Sequence, residues 1–258
     1  MSDTATSHTH IQSIQRAADI LRCFSEAEPE LGVMAISRRL ELHKSTVSRI
    51  LSTLQYEGLV SQNPQTDKYR LGLGLISLAG VALGRLDVRG AAQPYLNHLV
   101  EVTQETINVT VLDGRDCVNV ERVASPRPIR YVGWIGRRTP LHCTAAGKAI
   151  LAFTPPEQRE ALLQLPLPRY TDNTITDKAL LERALDQVCH DGYATAEEEF
   201  EAEFSAIAAP IFNHRREVVG AIAVSGPTYR FSSEQSESFV ETLLETTTKV
   251  SAELGFLG

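Results

Sequence analysis

Lys44, Ser45, Thr46, Ser48, Arg49 and Ser52 place two cations and four hydroxyls within a nine-residue stretch. Those are the groups that meet a DNA groove. A lysine neutralises phosphate, an arginine can donate a bidentate pair to guanine O6 and N7, and small hydroxyls let a helix approach base edges closely. Lys68 and Arg70 add two more cations, alternating with Tyr69 and Leu71, and Ser13 and Arg16 offer a third polar group upstream.

Other constellations give less. His142 beside Cys143 is the most reactive-looking pair, because an imidazolium and a helix N-terminus both favour a thiolate. Neighbours on a helix rarely aim at each other, however, and no third orienting group is identifiable, so the expectation is a small buried thiol and no catalytic residue. Glu197, Glu198, Glu199, Glu201 and Glu203 are all carboxylates. Successive residues of an extended segment alternate faces, and no carbonyl-rich or glycine-centred loop accompanies them, so they read as a solvated acidic segment with no metal. Gly72-Leu73-Gly74 lacks the rest of a dinucleotide fingerprint, and no P-loop is present, so no cofactor is expected.

The elements that must position the polar groups follow from periodicity. Val33, Ile36 and Leu40 form one apolar stripe, with Arg38 and Arg39 turned away. After a break at Leu42 and His43, Val47, Ile50, Leu51 and Leu54 resume the pattern and leave the hydroxyls and cations on the other side, with Ser45 and Thr46 expected to cap the helix start. Residues 63–67 have turn chemistry between two short strands, the second returning through Lys68 to Leu71, with Tyr69 and Leu71 expected to pack on the helices. Ile14, Ala17, Ala18, Leu21 and Phe24 give a preceding amphipathic helix. Three helices and a hairpin make a winged helix-turn-helix. A helical hairpin whose polar face merely meets water is the alternative.

The apolar run at residues 71–84 is too short to cross a bilayer, which takes about 20 residues. Leu75, Leu78 and Ala82 lie on one flank, and Ile76, Ala79 and Leu83 on another, so both flanks want burial. This predicts a connecting helix that packs against its twin in a homodimer, the alternative being burial within one subunit. From residue 91 the pattern turns to mixed α and β: a helix at 94–104, strands at 107–112, 117–123 and 129–135, a helix at 143–153, a polar stretch at 155–177, a helix at 178–191, a hairpin at 207–225 and a final helix at 233–254. The fold class is α+β, with a mainly antiparallel sheet covered by helices.

Composition agrees with two domains. The 258 residues carry a net charge of −7 and are 43% hydrophobic. Residues 1–71 hold 8 Lys and Arg against 8 Asp and Glu, whereas residues 72–258 hold 17 against 24, so all the excess acidity lies in the second part. A neutral first part still lets local cations meet phosphate. Four separated cysteines with no C-x-x-C pair, and no signal peptide, point to reduced thiols in a cytoplasm.

The run Gln12-Ser13-Ile14-Gln15-Arg16-Ala17, the segment 44–51 and Tyr69-Arg70-Leu71-Gly72 closely resemble the DNA-binding domain of IclR-type bacterial transcriptional regulators. Pro140-Leu141-His142-Cys143-Thr144-Ala145-Ala146-Gly147-Lys148-Ala149 resembles that family's effector-domain signature, and Asp191-Gly192-Tyr193, Ala208-Ala209-Pro210-Ile211-Phe212 and Ser225-Gly226-Pro227 follow in its order. The resemblance implies a flexible N-terminus at 1–10, a winged helix-turn-helix at 11–71, a dimerising linker helix at 72–90 and a GAF-like or profilin-like effector domain at 91–258. It also implies a small organic effector near Thr139, Ala145, Ala146, Ala196, Ala206, Ala223 and Ser225. Tyr131 and Leu141 would supply an apolar wall, and the Ala145 and Ala146 amides a carboxylate site; close packing is the other account of the small residues. Ala196 and Ala206 depart from the polar or thiol groups of the glyoxylate-shunt members, and Glu203 replaces a common glycine. The partners expected are double-stranded DNA bearing a pseudopalindromic operator, a small-molecule effector, and a second copy in a homodimer, or two dimers in a tetramer. A ligand-sensing adaptor without DNA binding and a thiol enzyme are the alternatives. Repressor and activator both fit the sequence.

Overall fold

The computed structural model describes residues 11–25, 27–83, 87–163 and 166–257, the side chains of 82, 83, 233 and 234 excepted. The expected flexible N-terminus, and the contributions of Ala82 and Leu83 to the linker stripes, lie outside the described residues. The chain divides into two compact units, Met1–Arg85 and Leu86–Gly258.

In the first unit, helices α1 (Gln12–Arg22), α2 (Val33–Leu40) and α3 (Lys44–Tyr56) precede the antiparallel strands β1 (Val60–Gln62) and β2 (Tyr69–Leu71), followed by α4 (Gly74–Leu83). Ile20, Ile36, Val47, Leu51, Leu54, Val60 and Tyr69 form the core. Ile14 is not part of it: this residue is 65% exposed, and Ile20 and Cys23 carry the buried side of α1 and its C-terminal cap instead. Of the apolar pair on β2, Tyr69 is buried, whereas Leu71 is 46% exposed. The chain leaves the ribbon after Leu71 to pass over the Gly58 carbonyl, so closely that a Cβ on Gly72 would lie 2.2 Å from that oxygen.

The second unit is a six-stranded sheet in the order β5-β4-β3-β8-β7-β6, antiparallel throughout, formed by β3 (Thr106–Asp113), β4 (Asp116–Val123), β5 (Arg138–Pro140), β6 (Ala194–Glu197), β7 (Phe204–Phe212) and β8 (Val218–Pro227). Helices α6 (Ala145–Ala152) and α8 (Lys178–Asp191) cover one face, through Ala194, Ala208 and Ala221. Helices α5 (Asp87–Thr103) and α9 (Ser233–Glu253) pack together on the other. Helix α7 (Pro156–Leu162) lies between α6 and α8 in the chain.

Several elements differ from the sequence reading for physical reasons. Helix α5 starts at Asp87 and runs through Pro94, because Val88, Ala92, Leu96, Leu99 and Thr103 bury one continuous face. Fully burying an aliphatic side chain is worth about 1.5–3 kcal/mol, so that face offsets a proline cost of about 3 kcal/mol. Residues 129–135 form no strand: Ile129, Val132, Trp134 and Ile135 are exposed, and the segment is tied instead by Thr106 Oγ1 donating to the Tyr131 carbonyl at 3.1 Å. Helix α7 sits inside the stretch read as polar loop, opened by a proline at its first turn, where no amide donor is needed. Pro210 is tolerated within β7 because β6 pairs only with Ser205–Ala208, so beyond Ala208 that edge of β7 has no β6 partner. Among the described residues, no helix is long and apolar enough to cross a membrane.

Candidate functional site

Helix α3 presents its polar residues as one outer surface. Val47, Leu51 and Leu54 are buried beneath it, while Lys44, Ser45, Ser48, Arg49 and Ser52 are exposed and Thr46 is half-buried. Ser13, Arg16, Thr46, Arg49 and Ser52 border one groove between α1 and α3, so the structure brings the α1 residues to the α3 surface. The N-cap is His43 rather than Ser45 or Thr46. Its Nδ1 accepts from the Ser45 amide at 3.3 Å and lies 2.8 Å from Ser45 Oγ. Register decides this, since Lys44 is already helical and the serine and threonine fall inside the first turn.

Arg38 and Arg39 behave differently from each other. Arg39 Nη1 donates to the Cys23 carbonyl at 2.8 Å and its Nη2 meets Glu28 at 2.5 Å, so it ties α2 to the end of α1. On the wing, Lys68 and Arg70 are exposed, and Arg70 Nε donates to Ser61 Oγ at 3.1 Å across the ribbon. Asn63 Oδ1 accepts from the Gln65 amide at 2.9 Å, and Glu30 accepts from Asn63 Nδ2 at 3.1 Å, which fixes the turn between the strands.

The second unit holds a partly open cavity of about 70 Å³ between the sheet and α6. Strand pairing sets Ser225 beside Ala206 and Ala206 beside Ala196, with Ala223 opposite Asn108. Side chains that end at Cβ or one atom beyond leave this part of the sheet low, and α6 roofs it. Tyr131, Thr139, Ala145, Ala146, Ala196, Ala206, Ala223 and Ser225 all line the space. Leu141 does not. Its side chain is buried in the core under α6, where its carbonyl would lie 2.2 Å from a Cβ on Gly147, and the apolar wall is made by Phe200 and Phe204 with Tyr131. Burial pushes the Tyr131 phenol up to about 12, although the Arg137 guanidinium opposes the shift, and Arg137 Nη1 donates to its hydroxyl at 2.9 Å.

At the start of α6, Thr144 Oγ1 accepts from the Gly147 amide at 3.1 Å and the Thr144 carbonyl accepts from Lys148 N at 2.9 Å. The Ala145 and Ala146 amides therefore have no intrahelical partner, and both residues line the cavity.

Sequence reasoning missed much of the polar lining. Asn108, Thr110 and Asn119 come from β3 and β4, and Glu199 and Glu201 from the segment after β6. The acidic run is not simply solvated. Glu199 is buried with Lys148, Nζ to Oε1 at 2.5 Å, and Glu201 pairs with Arg137. Burial raises the Glu199 carboxyl above the usual carboxylate range, against the Lys148 charge. The alternation Thr106, Asn108, Thr110 was the available signal, since polar residues at period two on a covered sheet need something to face. Glu203 has φ 65°, the left-handed region that glycine favours.

Cys143 is fully buried, and burial, reinforced by the Glu199 carboxylate, pushes its thiol up to about 12. His142 Nε2 donates to the Pro168 carbonyl at 2.9 Å, and burial lowers the imidazole pKa. Among the described residues no group of three or more His, Cys, Asp or Glu is placed to hold a metal.

Comparison with known proteins matches this architecture. The profile of the IclR helix-turn-helix domain matches residues 13–64, and that of the bacterial transcriptional regulator IclR C-terminal domain matches residues 80–252. The chain is 35% identical to the HTH-type transcriptional regulator XynR of Escherichia coli (strain K12) over 247 residues, covering 95% of this chain and 98% of that one. It is 34% identical to the HTH-type transcriptional regulator KdgR of the same organism, covering 95% and 94%. Among solved structures, Thermotoga maritima IclR superposes with a TM-score of 0.80 at 28% identity, covering 96% of this chain and 100% of that chain. An IclR homolog from Microbacterium hydrocarbonoxydans, complexed with 4-hydroxybenzoate, superposes with a TM-score of 0.80 at 27% identity, covering 94% and 98%. With a helix-turn-helix in its first unit and a helix-covered antiparallel sheet in its second, the chain belongs to the IclR family of bacterial transcriptional regulators.

Proposed function

We propose that residues 11–71 read a pseudopalindromic operator in double-stranded DNA, that residues 72–90 join two copies into a homodimer, and that residues 91–258 sense a small organic acid that sets operator affinity. The observation that carries this reading is the outer surface of α3, polar and exposed above a fully apolar underside. In this reading Ser45, Thr46, Ser48, Arg49 and Ser52 face base edges, while Lys44, Lys68, Arg70, Ser13 and Arg16 meet phosphates. Tyr131, Thr139, Ala145, Ala146, Ala196, Ala206, Ala223 and Ser225 hold the effector, and no metal or cofactor is invoked. The relative that binds 4-hydroxybenzoate supports an organic acid as the kind of ligand.

The exposed residues Ile76, Leu78 and Val81 on α4 support the dimer, because a helix with that much uncovered apolar surface gains by pairing. An acid that prefers one of two dimer arrangements shifts the operator equilibrium by its differential affinity for them.

Gel-shift titration of Arg49→Ala tests the DNA-reading face. The expected loss is about 1–3 kcal/mol of operator affinity with the melting temperature unchanged, and Lys44→Ala should weaken all sequences alike. Affinities equal to wild type would reject the assignment. Ser225→Ala should change the effector response while the ligand-free protein binds DNA as before; an unaltered response would remove Ser225 from the site.

A further inference from the structure

Two segments outside the sheet border the cavity. The loop 124–137 contributes Tyr131, and residues 198–203 contribute Phe200 and Glu201. These three side chains are half-buried, whereas Asn108, Cys143 and Ala145 are buried, so the two segments mark the mouth and the others the floor.

Each segment is tied at its ends. In the loop, Ser125 Oγ donates to the Gln104 carbonyl at 2.7 Å, Arg230 Nη2 donates to the Ile129 carbonyl at 2.8 Å and Gly136 N donates to the Asn119 carbonyl at 2.7 Å, while Val132, Trp134 and Ile135 between them are exposed. In the shorter segment, Glu198 N donates to the Phe204 carbonyl at 3.0 Å and Thr174 Oγ1 donates to the Glu199 carbonyl at 2.7 Å. Glu198 and Glu203 flank it with φ of 52° and 65°, a region that few residues other than glycine occupy.

Arg137 joins the two. Its Nη2 pairs with Glu201, and its Nη1 donates to the Tyr131 hydroxyl at 2.9 Å and to the Val132 carbonyl at 3.1 Å. Its guanidinium carbon lies 5.3 Å from the ring centre of Tyr131, 4.9 Å from that of Trp134 and 5.5 Å from that of Phe200. A planar guanidinium donates in its plane while its faces meet aromatic rings, so one side chain grips both segments.

We propose that Arg137 is the latch of the cavity: engaged with Glu201 it holds the loop 124–137 against residues 198–203 across the mouth, and its release opens the way in. The inference rests on the effector reading only for what enters. The latch makes no demand on the class of ligand, and its test uses none.

Cys143 reports the opening, because it borders the cavity and is fully buried; Cys117, equally buried, lies in the core under α6 and reports wider unfolding. Labelling of the full-length protein with N-ethylmaleimide at pH 8, read peptide by peptide in a mass spectrometer, should modify Cys143 about tenfold or more faster in Glu201→Gln and in Arg137→Met than in wild type, with Cys117 unchanged. Acrylamide quenching of Trp134, the single tryptophan of the sequence, should rise in the same variants as its ring loses cover. The Glu201 side chain is 36% exposed, so Glu201→Gln spares the core and decides the question even if Arg137→Met does not fold. Equal acceleration at Cys143 and Cys117 would make Arg137 a brace of the whole unit, and a Cys143 rate equal to wild type in the folded variants would show that access bypasses it. Either result overturns the latch and leaves the effector reading standing, whereas failure of organic acids to bind would remove that reading without changing these rates.

Discussion

Cys143 occupies the position where a thiol nucleophile would be sought, and its surroundings disarm it. With its thiol pushed up to about 12 by burial, on the order of one part in ten thousand is thiolate at pH 8, and none of the side chain is open to solvent. Burial raises Cys117 further and also raises Cys23, whereas Cys189 is exposed. Native labelling with iodoacetamide at pH 8, read by mass spectrometry, should therefore modify Cys189 first and leave the Cys143 and Cys117 peptides untouched until denaturant is added. A Cys143 peptide labelled as fast as that of Cys189 would contradict the structure. At this scale the alanines and Ser225 were legible through the family signature. Glu199 was not. Nothing in a run of five carboxylates marks the one that reaches Lys148, because that choice depends on where α6 crosses β6 and the segment after it.

The element that organises the cavity is α6. All eight of its residues are buried, Lys148 included, and Thr144 caps it. Gly147 is the position that lets it sit so low: a Cβ there would lie 2.2 Å from the Leu141 carbonyl oxygen and 2.6 Å from its Cα. Gly147→Ala should cost about 2 kcal/mol or more in urea unfolding, since backbone rather than a flexible side chain must give way. Stability equal to wild type would show that α6 is not held against that loop. Helices α2, α3 and α8 and the wing were legible because each has a clear apolar period and a turn or cap at its ends. Residues 129–135 were misread as a strand because alternation in a loop that ties itself by single side chains looks the same as alternation in a ladder. Strand β6, which ends where the acidic run begins, was missed because its burial alternates as Ala194, Ala196 inward and Thr195, Glu197 outward over only four residues.

For the molecule as a whole, the distribution of charge and of apolar surface matters more than the totals. The net −7 lies entirely beyond residue 71, which leaves the reading unit neutral and lets its exposed cations act locally. On α4, Ile76 is 67% exposed and Leu78 61% exposed. Replacing both with glutamate should convert the proposed dimer to monomer in sedimentation velocity while each unit stays folded, and an unchanged sedimentation coefficient would contradict pairing through α4. That this helix carries more apolar surface than its own unit covers was legible in the sequence; the second copy proposed to cover it is something a single chain's pattern cannot specify.

The central claim is that the polar side of α3 enters a duplex, twice per dimer. Footprinting on a genomic site selected by the full-length protein tests it directly. Two protected half-sites about one helical turn apart, or a multiple of it, should appear, and both should vanish with Lys44→Ala and Arg49→Ala combined in a protein of wild-type melting temperature. Absence of a protected site with and without bound acid, or a footprint that survives the double substitution, would contradict it.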